Sequence, residues 1–269
     1  DSLIGGFGDD TLRGGVGNDL IRGGRDSDSL SGGTGSDTYF FARGDGRDRI
    51  DNYDTSTGRL DVLQLDEGIT QADVRLTRSS NNHLVLTIKD TGDTVSINGF
   101  FYEDGTGARI LDRVAFADGT FWDVEQLKLK VLEPSDSADT LYGYVTNDVI
   151  DGGAGNDRLV GNQGDDLLIG GADNDRLEGG AGDDSLDGGT GDDYLTGGEG
   201  GSGQDVINNF DRSVGSEDVI QIAADILPSE IQVTREGNHL AVRIQGSNDV
   251  LRVEHFFESD ATDGYQIDK

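Results

Sequence analysis

The sequence of 269 residues has little of what usually stabilises a globular domain. It contains no cysteine, so disulfide bonds are excluded. Only 33% of the residues are hydrophobic while 43 are glycine, so a thick apolar core is not available to the whole chain. A bound metal ion is therefore the leading candidate for the missing stabilisation.

Positive charge is also scarce. The chain has 21 basic against 53 acidic residues, a formal net charge of -32. This balance argues against nucleic acid or an anionic membrane surface as a partner and favours a cation. The longest apolar runs are only a few residues, so we predict no transmembrane segment, and no cleavable N-terminal signal is present.

Two stretches of the chain repeat a unit of nine residues. Glycine occupies the first, second and fourth positions of most units, aspartate the sixth and a large apolar residue the eighth. The first array begins at Gly5, and the second runs from Gly152 to Gly198 after a divergent unit at Gly143. The sixth-position aspartates are Asp10, Asp19, Asp28 and Asp37 in the first array and Asp157, Asp166, Asp175, Asp184 and Asp193 in the second.

The repeat predicts a flattened solenoid. Each unit leaves room for a strand of about three residues between glycine-rich turns. Two units then make one coil, and successive coils stack at about 4.8 Å. The eighth-position side chains meet between two thin sheets, in a single apolar layer that is too small to order the chain alone.

Stacked turns also predict a cation site. Carbonyl groups and a sixth-position carboxylate from one turn face those of the turn two units later, and such hard oxygen ligands suit Ca²⁺ better than Zn²⁺ or a redox metal. From Asp139 to Asp205 the chain has 16 acidic and 2 basic residues. About six Ca²⁺ ions would nearly neutralise this surplus. The alternative, a solvated row of acidic turns, leaves the periodic glycines unexplained.

The units match the pattern GGxGxDxUx, and the sequence resembles the RTX, or haemolysin-type calcium-binding, repeat family. The resemblance implies an all-β fold with two parallel β-rolls, or β-solenoids, each followed by a β-rich capping segment. It also implies multiple Ca²⁺ ions, roughly 8 to 10, between adjacent turns. The residues predicted to hold them are Gly5, Gly6, Gly8, Asp10, Gly14, Gly15, Gly17, Asp19, Gly23, Asp28, Gly32, Gly35, Asp37, Asp48, Asp139, Gly152, Gly153, Gly155, Asp157, Gly161, Gly164, Asp166, Gly170, Asp175, Gly179, Gly180, Gly182, Asp184, Gly188, Gly189, Gly191, Asp193, Gly197 and Asp205.

Four segments follow from the pattern. We predict a first roll at 1–50, a capping segment at 51–133, a second roll at 134–207 and a truncated second capping segment at 208–269. The segment 51–133 has strand-like runs separated by turn residues, and its run DVLQL at 61–65 returns as DVIQI at 218–222. Because the chain opens in register with a repeat unit, we interpret it as a piece of a longer polypeptide.

Departures from the pattern predict which turns change. Asp26 and Asp173 replace the fourth-position glycine and Asn162 the second, and Asp and Asn tolerate the left-handed backbone conformation. Tyr144 and Thr146 stand where glycine is expected in the turn before Asp148, so Asp148 is left out of the ligand set. At the fifth position Asp, Asn and Ser alternate, which favours hydrogen bonding within the turn over metal binding.

The sequence does not predict an enzyme. It has no GxSxG nucleophile elbow, no HExxH zinc motif and no cysteine. We expect a secreted or bacterial cell-surface module that folds on binding extracellular Ca²⁺ and supports type I secretion and folding of a larger toxin or exoprotein. The alternative is a Ca²⁺-rigidified stalk or ligand-binding module of a surface adhesin, which would contact a host receptor or glycan.

Overall fold

The computed structural model of the chain describes residues 1–198, 204–208, 219–220, 227–245, 250–254 and 256. The chain divides into two compact units, residues 1–131 and 132–269. Part of the predicted second capping segment, including most of the run DVIQI, lies outside the described residues. The four-segment division stays a prediction.

Unit 1 consists of short strands, two 3₁₀ turns at Gln71–Asp73 and Tyr102–Gly105, and one α-helix. Its elements are β1 (Ser2–Phe7), β2 (Thr11–Val16), β3 (Leu20–Arg25), β4 (Ser29–Thr34), β5 (Thr38–Phe41), β6 (Arg47–Ile50), β7 (Val62–Leu65), β8 (Val74–Arg78), β9 (Leu84–Ile88), β10 (Thr94–Ile97), β11 (Arg113–Ala115), β12 (Phe121–Asp123) and α1 (Val124–Lys130).

Two sheets form unit 1, and successive repeat units alternate between them. One sheet has the order β1-β3-β5-β7-β11-β12 and the other β2-β4-β6-β10-β9-β8. Strands β1 to β5 pair in parallel at an offset of 18 residues, as when Leu12 lies opposite Leu30, and β4 pairs with β6 at an offset of 20. One coil therefore consists of two nonapeptides, as the sequence predicts. Antiparallel pairing occurs only at the far end of each sheet, between β11 and β12 and among β10, β9 and β8.

Unit 2 repeats this arrangement in the part that is described. Its strands are β13 (Thr140–Tyr142), β14 (Val149–Ala154), β15 (Arg158–Gln163), β16 (Leu167–Ala172), β17 (Arg176–Ala181), β18 (Ser185–Thr190), β19 (Tyr194–Thr196), β20 (Gln204–Asn208), β21 (Val219–Ile220), β22 (Ile231–Glu236), β23 (His239–Ile244) and β24 (Val250–Val253), with a 3₁₀ turn at Pro228–Glu230. The sheets have the orders β13-β15-β17-β19-β21 and β14-β16-β18-β20-β24-β23-β22.

The core of each roll is the predicted single layer of eighth-position side chains. In unit 2 it consists of Leu141, Ile150, Leu159, Leu168, Leu177, Leu186, Leu195 and Ile207, all buried. Prediction of this layer and of the all-β, β-roll fold is confirmed. The predicted strand length was wrong, because most roll strands have six residues. They extend through the glycine pair, whose backbone still hydrogen-bonds to the neighbouring coil.

The capping segment of unit 1 continues the sheets of the roll. Strand β7 pairs in parallel with β5, and β10 pairs in parallel with β6. The antiparallel strands β8 and β9 then add further buried apolar side chains, among them Leu84, Leu86 and Ile88. Helix α1 lies near the end of the predicted capping segment 51–133. Asp123 begins it by accepting a hydrogen bond from the Gln126 N–H, as in a capping box.

Candidate calcium site

The sixth-position aspartates are connected from coil to coil, and we call this row the aspartate ladder. The backbone N–H of Asp157 donates to Oδ1 of Asp175 at 2.8 Å, and the N–H of Asp175 donates to Oδ1 of Asp193 at 2.8 Å. On the other edge the N–H of Asp166 donates to Oδ1 of Asp184 at 2.9 Å. Unit 1 has the same bonds, from Asp10 to Asp28, Asp19 to Asp37 and Asp28 to Asp48.

The second carboxylate oxygen of these residues is the chemically unusual atom. Oδ2 is buried and accepts no hydrogen bond in Asp10, Asp19, Asp28, Asp37, Asp48, Asp157, Asp166, Asp175 and Asp184. A buried carboxylate oxygen without a partner is costly, because burial removes the water that would solvate its charge. A repeated row of such oxygens is what a set of cation sites requires.

First-position glycines border the space around each Oδ2. A Cβ atom on Gly170 would lie 2.5 Å from Oδ2 of Asp175 and 2.4 Å from the carbonyl oxygen of Gly188 in the next coil. Any side chain at this position would therefore fill the space between a carboxylate and a carbonyl oxygen. The same two close contacts occur at Gly5, Gly14, Gly152, Gly161 and Gly179. Glycine is required at this position because no other residue leaves this space open.

The other predicted glycines shape the backbone. Those at the second and fourth positions have positive φ, namely Gly6, Gly8, Gly15, Gly17, Gly35, Gly153, Gly155, Gly164, Gly180, Gly182, Gly189 and Gly191. Asp26, Asp173 and Asn162 also adopt positive φ, at 87°, 76° and 81°. The prediction that these three substitutions preserve the turns is confirmed.

No three acidic, histidine or cysteine side chains come together as a metal-binding group in the described part of the chain. A cation at the ladder would therefore take most of its ligands from backbone carbonyls, with the aspartate as the charged one. Ca²⁺ accepts mixed sets of carbonyl and carboxylate oxygens. The residues present fit Ca²⁺ in this respect.

Burial disfavours the ionised form of the ladder carboxylates. It raises the pKa of Asp175 to about 7 and those of Asp166 and Asp184 to about 6, with neighbouring carboxylates adding to the effect. In unit 1 burial likewise raises the pKa of Asp48 to about 7. Without a cation, the ladder is a row of poorly solvated acids.

Two aspartates at the start of the second roll differ from the rest. Oδ2 of Asp139, a predicted ligand, accepts hydrogen bonds from the N–H and hydroxyl of Ser135 at 2.7 and 2.8 Å. Oδ2 of Asp148 accepts one from the Tyr144 N–H at 2.6 Å. The structure thus distinguishes both from the aspartates whose Oδ2 has no hydrogen bond, and for Asp148 this agrees with its exclusion from the ligand set.

Fifth-position residues form a second ladder that runs in the opposite sense. Oδ1 of Asn156 accepts the backbone N–H of Asn174 at 2.9 Å, and Oδ1 of Asn174 accepts that of Asp192 at 3.0 Å. Oδ1 of Asp165 does the same for the Asp183 N–H. The prediction of hydrogen bonding was right, but the bond joins adjacent coils and does not stay within one turn. Asn and Asp serve equally because both present an oxygen acceptor.

The sequence analysis missed two aspartates that extend the ladder into the capping segment. The N–H of Asp37 donates to Oδ1 of Asp61 at 2.8 Å, and the N–H of Asp61 donates to Oδ2 of Asp112 at 2.7 Å. A signal for both was present, because each begins an Asp-x-apolar run, with Leu63 and Val114 at the apolar position. The sequence analysis missed both because they lie outside the nine-residue period.

Comparison with protein families agrees with this geometry. The model of the RTX calcium-binding nonapeptide repeat matches four times, at residues 4–39, 13–50, 135–168 and 169–207. A haemolysin-type calcium binding protein related domain matches residues 83–126, within the first capping segment. The chain is therefore built on two blocks of RTX calcium-binding nonapeptide repeats. Repeats of this family bind multiple Ca²⁺ ions, which confirms Ca²⁺ as the cofactor.

One curated relative and one solved structure extend the comparison. Over 116 residues the chain is 41% identical to the iron-regulated protein FrpA of Neisseria meningitidis serogroup C, a match that covers 43% of this chain and 10% of that protein. The extracellular lipase LipA from Serratia marcescens aligns with 91% of this chain and 37% of its own, at 17% identity and a TM-score of 0.28. That likeness is too low to carry any conclusion. No helix among the described residues is long and apolar enough to cross a membrane.

Proposed function

We propose that this chain is a calcium-controlled folding module of a larger secreted protein, and that it is not itself an enzyme. The observation that carries the proposal is the row of buried Oδ2 atoms without hydrogen bonds in the aspartate ladder. The rolls bury these oxygens beside carbonyl groups, so they gain a favourable partner only when a cation enters. Folding and Ca²⁺ binding are then one event.

Simple magnitudes support a switch. Extracellular modules bind Ca²⁺ with dissociation constants of about 10⁻⁴ to 10⁻³ M, so such sites stay empty in the cytosol. If free Ca²⁺ is about tenfold above the dissociation constant, each site contributes roughly 1.4 kcal/mol, and six contribute about 8 kcal/mol. That equals the whole stability of an ordinary domain. The single apolar layer of the roll supplies too little to replace it.

The switch suits export. At low Ca²⁺ the net charge of -32 and the low hydrophobic content favour an extended chain, which a type I secretion system could thread through a narrow channel. Folding outside the cell would then oppose its return. The match to about a tenth of FrpA is in keeping with a module inside a much longer protein. A Ca²⁺-rigidified stalk of a surface adhesin would use the same switch, so the proposal includes it as the second candidate.

The test is a Ca²⁺ titration of the whole chain, followed by far-UV circular dichroism. The fluorescence of Trp122, which is buried in the first capping segment, reports on that segment separately. We expect cooperative gain of β structure with Ca²⁺ and none with Mg²⁺, which prefers a stricter octahedral shell. A chain that is fully folded in chelator would disprove the switch. A host-glycan and host-protein binding screen of the Ca²⁺-loaded chain separates the two candidates, because specific binding favours the adhesin.

A matched pair of variants tests the ladder. Asp175→Asn replaces the carboxylate that contains a buried Oδ2 by a neutral amide. We call each aspartate of the ladder, with the space around its Oδ2, a rung, and we expect apparent Ca²⁺ affinity at this rung to fall about tenfold or more, roughly 1.4 kcal/mol. Asp165→Asn removes the same charge at an exposed fifth position and keeps the Oδ1 acceptor. Its titration should stay within about twofold of wild type. Equal effects of both variants would mean that only net charge matters.

A further inference from the structure

One rung of the aspartate ladder already contains a positive charge. Asp61 is the ladder residue that follows Asp37, and it is completely buried. Its Oδ1 accepts the N–H of Asp37 as in the rungs before it. Its Oδ2, the atom that accepts no hydrogen bond in Asp19 and Asp37, here has two partners. At this rung, hydrogen bonds from other residues of the chain satisfy the Oδ2 atom that has no hydrogen bond elsewhere in the ladder.

The first partner is the guanidinium group of Arg59, whose side chain is only 9% exposed. Its Nη1 lies 2.5 Å from Oδ2 of Asp61, 3.1 Å from Oδ2 of Asp112 and 3.2 Å from the Ile110 carbonyl oxygen. Its Nε lies 3.7 Å from Oδ2 of Asp54. Two carboxylates and a carbonyl oxygen thus accept hydrogen bonds from one cation, and a third carboxylate lies within ion-pair distance of it. These are the oxygen types that the roll provides for Ca²⁺.

The second partner links this rung to the roll through neutral groups. The side-chain amide of Asn52 donates to Oδ2 of Asp61 at 2.8 Å and accepts the hydroxyl of Tyr39 at 2.8 Å. The Tyr39 hydroxyl in turn accepts the N–H of Gly32 at 2.7 Å. Tyr39 stands at the eighth position, where the other units have Leu or Ile. Its hydroxyl therefore gives this coil a polar connection that an aliphatic side chain cannot make.

We propose that Arg59 is a built-in cation that closes the Asp61 rung, so that this rung takes no Ca²⁺ while the rungs before it do. The inference rests on the proposed function, because it assumes that Ca²⁺ fills the rungs whose Oδ2 has no hydrogen bond. A planar guanidinium can satisfy several carboxylates at once and is always charged. The junction of the first roll with its capping segment is then held together before any Ca²⁺ binds.

The duplicated module lacks this residue. In the register that aligns DVLQL at 61–65 with DVIQI at 218–222, Arg59 corresponds to Ser216, which lies outside the described residues. The sequence therefore provides a built-in charge at this position in the first module only.

The experiment counts bound Ca²⁺ on the whole chain by native mass spectrometry at saturating Ca²⁺. We expect Arg59→Gln to bind one Ca²⁺ more than wild type, since the carboxylates of Asp61 and Asp112 and the carbonyl oxygen of Ile110 lose their cation. Arg47→Gln removes the same charge from an exposed strand position and should match wild type. Equal counts for Arg59→Gln and wild type would overturn the inference.

A second variant keeps the test decisive if Arg59→Gln does not fold, which Trp122 fluorescence would reveal. Asp61→Asn preserves the Oδ1 acceptor and should leave the Ca²⁺ count unchanged, whereas Asp175→Asn should bind fewer ions than wild type at a Ca²⁺ concentration that only just saturates wild type. Loss of an ion in Asp61→Asn would show that Asp61 is a Ca²⁺ ligand and that Arg59 does not close the rung. If wild type itself binds no Ca²⁺, the proposed function fails, and that outcome is separate from any difference between variants.

Discussion

The two rolls share one repeat geometry but carry very different charge. Residues 1–50 contain 9 acidic and 6 basic residues, whereas residues 134–207 contain 17 acidic and 2 basic ones. Both build the same aspartate ladder with the same 18-residue step. The shared pattern therefore determines where a cation can bind, and the variable positions determine how much the roll needs one.

Arginines make the difference in the first module. Arg59 is only 9% exposed and forms ion pairs with Asp61 and Asp112, whereas the pair of Arg22 and Asp66 is 32% and 34% exposed. In the second roll Arg158 contacts Glu178 and the Tyr142 hydroxyl, both at partly exposed positions. Exposed pairs contribute little to stability. We infer that the first module tolerates loss of Ca²⁺ better than the second.

The largest expected effect comes from removing Ca²⁺ altogether. In chelator, we expect the amides of β16 to β18 to lose hydrogen-exchange protection by on the order of 100-fold or more, because bound Ca²⁺ no longer stabilises the roll. The amides of β9 and β10, in the apolar capping sheet of unit 1, should keep most of theirs. Exchange measured by mass spectrometry on the whole chain provides the comparison. Equal loss of hydrogen-exchange protection in both units would contradict the expected difference between them.

The next largest effect should come from a variant that creates a cavity in the second roll. Leu177 is completely buried in the single apolar layer, and Leu177→Ala should cost about 2 to 5 kcal/mol and raise the Ca²⁺ concentration needed for folding of that roll. The matched change Leu86→Ala removes the same atoms from the capping sheet of unit 1. Trp122 fluorescence should respond to Leu86→Ala alone. A response to Leu177→Ala would contradict independent folding of the two cores.

The stability of the second roll in chelator should also depend on pH. In chelator, buried ladder carboxylates have folded-state pKa values raised above the unfolded value near 3.8, to about 7 for Asp175 and about 6 for Asp166. A raised pKa stabilises the folded state at low pH, and this contribution is lost as pH rises through 6 and 7. In chelator the second roll should therefore keep more β structure, measured by far-UV circular dichroism, at pH 5 than at pH 8.

Saturating Ca²⁺ should reverse this trend, because Ca²⁺ binds the ionised carboxylates and releases their protons. The control is the double variant Asp166→Asn, Asp175→Asn, which removes two of the titrating groups and should flatten the dependence seen in chelator. An unchanged slope in that variant would assign the pH effect to other residues.

The smallest effect concerns the fifth-position ladder. Asn156→Ala removes the acceptor for the Asn174 N–H, and we expect a loss of about 0.5 to 1.5 kcal/mol in urea unfolding at saturating Ca²⁺. Asn156→Asp keeps Oδ1 and should lose much less. If both variants lose the same amount, the bond between coils is not the cause.

Sequence periodicity predicted the rolls well because every ninth position has one physical task. A Leu at the eighth position is buried, and an Asp at the sixth reaches the next coil, wherever the unit occurs. Prediction failed where the spacing broke. Asp61 follows Asp37 by 24 residues, and Asp112 follows Asp61 by 51, so no fixed period connects them. Helix α1 has only seven residues, too few for a clear helical pattern.

Because successive repeat units alternate between two sheets, the roll accepts insertions or deletions of an even number of units only. An 18-residue insertion or deletion adds or removes one coil, and every later strand keeps its sheet, its partner and its place in both ladders. A 9-residue change would exchange the two sheets for all later strands, so that β7 and β10 would meet the wrong roll strands. The module can therefore change length by even numbers of units only, and a Ca²⁺ rung on each edge is gained or lost with every step.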